Sequence, residues 1–177
     1  RQEHAEENHA IFRKWCAVCV AGRGLGGQHR RKRKQTAADL AEGPMMCSDF
    51  FYMSTDEAGS MPMLVVKSTR SGRVSSTALE SKGVTAHAVR FFADVMMRTG
   101  LRKFINSSDN ESSLLLLKAA AARSVKGLEA VPKECPVGDH QANGHAESAV
   151  RQVKDMMRTI RIGLERNLGQ ILDESDP

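Results

Sequence analysis

At 177 residues the chain is long enough for one domain with a proper core and a short appendage. Hydrophobic residues make up 41% and charged residues 27%, which excludes a disordered chain, and no apolar run has the length a membrane-spanning helix needs. The net charge of +5 is mildly basic, and four cysteines without a framework spacing exclude a disulfide scaffold and fit a reducing compartment.

Residues 1–43 read as a polar, Gly-rich and basic lead-in. Cys16-Ala17-Val18-Cys19 is half a zinc site, or else a pair of thiols packed beside Trp15. Ile11, Phe12 and Trp15 are expected to pack around such a knuckle. Glycines at 22, 24, 26 and 27 loosen the chain before Arg30-Arg31-Lys32-Arg33-Lys34, a run that repels itself and attracts polyanions. That run suits nuclear import, a backbone-binding arm or a linker.

The composition changes at Pro44. Met45 to Tyr52 suits a buried strand, Met63 to Lys67 a second, and Val74 to Leu79 a third returning antiparallel after the Ser71-Gly72 turn. Thr85 is a helix N-cap, after which Val89, Phe92, Ala93 and Met96 recur at helical spacing up to Gly100. Arg102 to Ser107 is a short strand. Residues 112–124, rich in Leu and Ala, form a helix closed near Gly127, and Leu128 to Val131 makes a fifth strand. A loop from Pro132 to Gly144 precedes a helix from about Ala142 to Leu168. On that helix Val150, Val153, Met157, Ile160 and Leu164 give one apolar seam. Three strands, helix, strand, helix, strand, helix describe a mixed α/β sheet covered by helices.

Three acids stand at informative places on this scaffold. Asp49 lies inside the apolar first strand, Asp109 follows the fourth, and Glu147 opens the last helix. A buried carboxylate is costly unless it is neutralised or binds a cation. Three that converge are what a magnesium site for phosphoryl transfer needs, because magnesium prefers hard oxygen ligands and keeps positions open. Glu111 and Asp139 are decoys on this reading: Glu111 caps the next helix or faces solvent, and Asp139 sits in an irregular loop.

The order of elements and acids resembles the ribonuclease-H-like catalytic core of retroviral and retrotransposon integrases, with the nearest likeness to copia-type LTR retrotransposons. Four pieces carry the resemblance: Cys47-Ser48-Asp49-Phe50-Phe51, Ser108-Asp109-Asn110-Glu111, Gly138 to Glu147 with its Asn143-Gly144, and Cys16-x-x-Cys19. It covers about residues 4 to 168. The 37 residues between Asp109 and Glu147 lie near that family's usual spacing of about thirty-five.

The resemblance implies a ribonuclease-H-like mixed five-stranded sheet over residues 44–170 and a zinc-knuckle-like lead-in over residues 1–43. It implies that Asp49, Asp109 and Glu147 are catalytic and hold two Mg2+ (or Mn2+) ions for in-line displacement at phosphorus. It implies Zn2+ on His4, His9, Cys16 and Cys19, although the six residues between His9 and Cys16 are far fewer than relatives carry; His29, or a histidine before Arg1, is the alternative. Arg151, Lys154 and Arg158 match the family's DNA-gripping positions past the glutamate, and Arg161 continues the stripe. The implied activity is 3′-end processing and strand transfer by a nuclear, homo-oligomeric, membrane-free enzyme. With no Met at Arg1 and an abrupt end at Pro177, the chain is expected to be a segment of a longer polyprotein. A decayed or domesticated DNA-binding and assembly module is the alternative, and a ribonuclease-H-type nuclease a third reading.

Overall fold

The computed structural model describes residues 2–7, 9, 11–23, 43–53, 61–134 and 144–172. The basic run at 30–34, His29, Cys135, Asp139, His140 and the Asn143 position lie outside these. The chain divides into two compact units, one made of residues 35–150 and the other of residues 1–34 together with 151–177.

The larger unit is built on a five-stranded sheet. Its strands are β1 (Met45–Tyr52), β2 (Pro62–Ser68), β3 (Val74–Ala78), β4 (Lys103–Ser108) and β5 (Glu129–Glu134). Their spatial order is β3-β2-β1-β4-β5, with β1–β2 and β2–β3 antiparallel and β1–β4 and β4–β5 parallel. The mixed α/β sheet with flanking helices is therefore as expected. β1, in the centre, shows why its sequence reads as almost continuously apolar: both of its faces are covered. Met46 and Phe50 on one face join Leu64 and Val66 of β2 in the main core. Cys47, Asp49 and Phe51 alternate onto the other face.

Two helices cover the first face. α3 (Ala86–Arg98) contributes Ala88, Phe92, Val95 and Met96, and α4 (Ser112–Ser124) contributes Leu114, Leu117 and Ala121. Thr85 caps α3 as its sequence predicts, its hydroxyl accepting from the Ala88 N–H at 3.1 Å. Gly100, at φ 66°, supplies the left-handed turn that stops it. Phe92 is fully buried, so its truncation to Ala costs about 3–5 kcal/mol. The fifth strand runs beyond the expected stop at Val131, through Pro132 to Glu134, because β5 is an edge strand where a missing N–H breaks no second ladder.

In the smaller unit, α1 (Gln2–Glu6) and α2 (Ala17–Arg23) are helices within the segment that reads as a polar, Gly-rich and basic lead-in, with no helix assigned from its sequence. Both are short, and short helices owe their stability to packing more than to propensity. That packing comes from the second part of α5 (Gly144–Leu168), which passes from the larger unit into the smaller one. Residues 144–150 of this helix group with residues 35–143, and the remainder with the N-terminal segment. A glycine makes the join. A Cβ at Gly22 would lie 2.6 Å from the Thr159 Cα and 2.4 Å from its Oγ1, so only Gly lets α2 cross α5 so closely.

Candidate metal centres

The register of the parallel pair β1–β4 decides the first centre. Cys47 lies opposite Ser107, so Asp49 in β1 and Asp109, the residue just past β4, come to the same end of neighbouring strands. In-register residues of parallel neighbours point to one face. The Asp49 carboxyl is pushed up from 3.8 to about 6, first by burial and then by the Asp109 charge. Glu111 adds to the rise, while the Phe50 N–H and the Lys82 ammonium oppose it.

The surroundings hold Asp109 in place. Its Oδ1 accepts from the Glu111 N–H at 3.4 Å, which closes a local turn. The preceding Ser108 receives a 2.8 Å hydrogen bond from the buried Lys118 ammonium of α4. Glu111 is the N-cap residue of α4 without a side-chain cap, and pairs with Lys82 at 3.3 Å. The Lys82 ammonium also stands 5.8 Å from the Phe50 ring centroid and 5.4 Å from that of Tyr52. Glu111, set aside in the sequence as a decoy, is therefore part of the electrostatics of Asp49. Its place two residues after Asp109 was the available signal; Lys82 and Lys118 left none.

Glu147 is the fourth residue of α5 and is exposed. Its neighbour Ser148 accepts from the Lys67 ammonium at 3.3 Å, and Lys67 pairs across the sheet with Cys47. The start of α5 is thereby tied to the face that carries Asp49. Asp49 and Asp109 are near enough for the charge of one to raise the other. Glu147 is brought to their side of the sheet, but among the described residues the three acids do not close into a ligand group.

The second centre does close. His4, His9, Cys16 and Cys19 are all buried, and one ligand atom from each lies within 4.8 Å of the other three. The His4 Nε2 is 3.2 Å from the Cys19 Sγ and 3.1 Å from the His9 Nδ1; the His9 Nδ1 is 3.4 Å from the Cys16 Sγ and 4.0 Å from the Cys19 Sγ. A zinc tetrahedron with Zn–N near 2.0–2.1 Å and Zn–S near 2.3 Å has edges of about 3.3–3.8 Å, so small shifts of these side chains would bring all four donors onto one ion.

Local structure explains how so short a segment makes the group. The chain turns back after α1, with the His9 N–H donating to the His4 carbonyl at 3.1 Å and His9 itself at φ 57°. That is the left-handed region, in which a non-glycine residue needs support from its surroundings. Cys16 precedes α2 and accepts its first helical bond from the Val20 N–H, so Cys19 falls one turn later on the same side. Burial alone would raise the Cys16 thiol, but the N–H groups of Cys19 and Val18, the Cys19 thiol and Arg166 bring it below its usual value. Burial, His4 and Arg166 lower His9, favouring its neutral ring. Burial raises Cys19, with Cys16 adding to the rise. Around the group pack Val18 and Ile162, and a Cβ at Gly163 would come 3.0 Å from the His9 Cδ2. The expected apolar jacket is only partly there. Trp15 stacks edge-on to His4 at 5.1 Å, but Ile11, Phe12 and Trp15 are all exposed, because α5 and not the aromatic side chains covers the group.

The basic stripe on α5 is less uniform than its spacing implies. Arg151 is exposed and Lys154 half-buried. Arg158 pairs with Asp155 at 2.9 Å and Arg161 with Glu165 at 2.9 Å, so at least these two cations have carboxylate partners on the helix itself.

No family model matches the sequence, and no curated protein matches it either. Among solved structures the chain is similar to the catalytic core domain of BIV integrase, at 14% identity and a TM-score of 0.41, covering 75% of this chain and 85% of that one. It is also similar to a chain of the simian T-cell lymphotropic virus intasome in complex with PP2A regulatory subunit B56 gamma, at 14% identity and a TM-score of 0.40. That match covers 68% of this chain and spans about half, 47%, of the other.

Proposed function

We propose that this chain is the catalytic segment of a retrotransposon-type integrase, a divalent-metal-dependent polynucleotidyl transferase that trims DNA ends and joins them to target DNA. One observation carries the reading: Asp49 in β1 and Asp109 just past β4 come to the same end of neighbouring parallel strands, with Asp49 held near pKa 6 by burial and by its neighbour. Two hard oxygen donors crowded together, opposed by a lysine already paired with Glu111, fit a divalent cation better than any protein partner.

Asp49 and Asp109 would hold Mg2+ or Mn2+, with Glu147 swinging in from α5 to complete the set. When bound, the metal supplies Lewis-acid stabilisation of charge on the reacting phosphate and makes a water or 3′-hydroxyl a better nucleophile. The protein's part is to fix Asp49 on a central strand and to hold Asp109, at the end of the next, by the Glu111 N–H and the Lys118–Ser108 bond. Arg151, Lys154 and Arg158 would bind DNA phosphates along the helix that carries Glu147 in its first turn. For Arg158 that means exchanging Asp155 for a phosphate. Zn2+ on His4, His9, Cys16 and Cys19 would have a structural role, since four protein ligands leave no open position.

Met157, Ile160, Leu164 and Leu168 remain exposed along α5, an apolar stripe that supports self-association through this helix. Nuclear action, with residues 30–34 as import signal, and origin in a longer polyprotein complete the proposal. The non-enzymatic module keeps one observation in its favour, the unclosed acid group. Incubation of the purified protein with Mg2+ or Mn2+ and labelled DNA ends separates the two. Cleavage and joining that fall at least about a hundredfold in Asp109→Asn support the transferase, given that even outer-shell losses at metal sites cost 10–100-fold. DNA binding with no turnover in either metal supports the module. Preference for RNA–DNA hybrids in the same assay would point to a ribonuclease-H-type nuclease.

A further inference from the structure

A cleft of about 640 Å3 opens between the β2–β3 turn and the C-terminal end of α3. That is within the usual span of binding clefts, about 300–1,000 Å3. Three arginines line it, Arg70 and Arg73 from the turn and Arg98 from the last turn of α3, together with the hydroxyl residues Ser71, Ser75 and Thr99. No Asp or Glu lines it. All three arginines are exposed, and among the described residues none of them pairs with a carboxylate. Lys82, Lys103, Arg158 and Arg161 each have such a partner.

The cations are carried on fixed backbone. The turn is closed by the Gly72 N–H donating to the Ser68 carbonyl at 2.9 Å and the Ser68 N–H donating to the Arg73 carbonyl at 3.0 Å. The Ser71 hydroxyl accepts from the Arg73 N–H at 3.3 Å, and Gly72 takes the left-handed position at φ 69°. On the other wall the Thr99 hydroxyl donates to the Met96 carbonyl at 2.7 Å and accepts from the Leu101 N–H at 3.2 Å, fixing the helix end that bears Arg98. Holding three like charges around one cleft is unfavourable in itself, and an anion relieves it. The planar guanidinium fork fits the oxygens of a phosphate, two bonds at a time.

The cleft is separate from the carboxylate centre. Its turn binds the start of β1, where the Thr69 N–H donates to the Met45 carbonyl at 2.9 Å. Asp49 lies four residues further along that strand, about 13 Å away. Val95 is the one large apolar residue in the lining, so there is no platform on which a base or ring could stack. Cations and hydroxyls without such a platform suit the backbone of a polymer better than a free nucleotide.

We propose that this cleft is a second nucleic-acid contact, in which Arg70, Arg73 and Arg98 hold successive phosphates of a DNA backbone at the end of the sheet away from Asp49. The choice of DNA among phosphate polymers rests on the transferase reading; the cleft's demand for phosphate does not. Backbone contacts fix position without reading sequence.

The test uses the full chain and a fluorescent 20-base-pair duplex, with affinity measured by anisotropy across a salt series. The triple variant R70Q/R73Q/R98Q should bind about tenfold or more weakly near physiological salt, and its slope of log K against log salt should fall by about 2 to 3, near 0.9 per lost contact. R70K/R73K/R98K keeps the charges and should keep the slope, which guards against a folding defect in the first variant. Wild-type affinity and slope in the Gln variant overturn the proposal. So does a loss confined to inorganic polyphosphate with duplex binding unchanged. Failure of the transferase reading has a different signature: no metal-dependent cleavage by the wild-type protein, with the arginine-dependent slope intact.

Discussion

The two centres pose opposite problems to the chain. At His4, His9, Cys16 and Cys19 the donors are soft, buried and mutually close, and the local electrostatics lower both His9 and Cys16 toward the forms that bind metal. At Asp49 and Asp109 the donors are hard, partly open and mutually repelling, and the electrostatics push Asp49 toward the protonated form that binds metal poorly. The difference is that between four donors that close on one another and three acids that, among the described residues, do not. A closed tetrahedron serves the fold, whereas an acid pair with a third carboxylate on a separate helix keeps room for water and phosphate.

The largest expected effect breaks the first half of that comparison. Removing zinc by chelation, or replacing Cys16 and Cys19 with Ser, should abolish cooperative folding of the smaller unit, since structural zinc contributes on the order of 10 kcal/mol in small modules. Metal content by mass spectrometry and the visible spectrum of a Co2+-substituted protein check it. Retained helix content and retained stability in the double variant would mean that the four residues merely pack. The Asp109→Asn variant, by contrast, should lose turnover while keeping its zinc.

Gly22→Ala comes next. With its Cβ placed 2.6 Å from the Thr159 backbone, α2 and α5 must separate, at a cost of at least about 1–3 kcal/mol. Chemical denaturation should show the loss, and the metal should leave more readily, because α2 carries Cys19. Gly163→Ala should be milder, since its Cβ would meet the His9 ring at 3.0 Å and not a backbone atom.

The smallest effect sharpens the second half. The Asp49 carboxyl is raised from 3.8 to about 6, so folding favours its protonated state. Its contribution is fully present below pH 3.8 and is lost as pH rises through about 6. A shift of about two units corresponds to about 3 kcal/mol, reduced to about 2 by the partial exposure of the group. Without divalent metal, Asp49→Asn should therefore be about 2 kcal/mol more stable than the parent at pH 8 and equal to it at pH 3.5. Urea titrations at the two pH values measure this. Mg2+ should stabilise the parent at pH 8 and leave the variant unchanged.

Much of this molecule was legible in its sequence, for reasons that differ by element. The strands and the three longer helices followed from local signals: apolar runs bounded by turn residues, helical spacing, Thr85 before Ala86, glycines at 100 and 127. The first and second helices were not legible, because neither is long enough to show a period, and both depend on α5 for cover. The extension of β5 through Pro132 was hidden because edge position is a property of the sheet and not of the segment.

For the centres, residue types determined the chemistry and the fold determined the meeting. An acid within an apolar strand and a Cys-x-x-Cys pair declare hard and soft donors wherever they occur, since burial cost and ligand softness belong to the side chains themselves. That Asp109 stands beside Asp49 depends on the β1–β4 register, and that Lys82 and Glu111 modulate it depends on a loop and a helix cap. That His9 reaches His4 and the cysteines across so short a gap depends on one left-handed residue and one glycine contact. These are distances through space between residues far apart or sharply turned, and they exist only once the chain has folded.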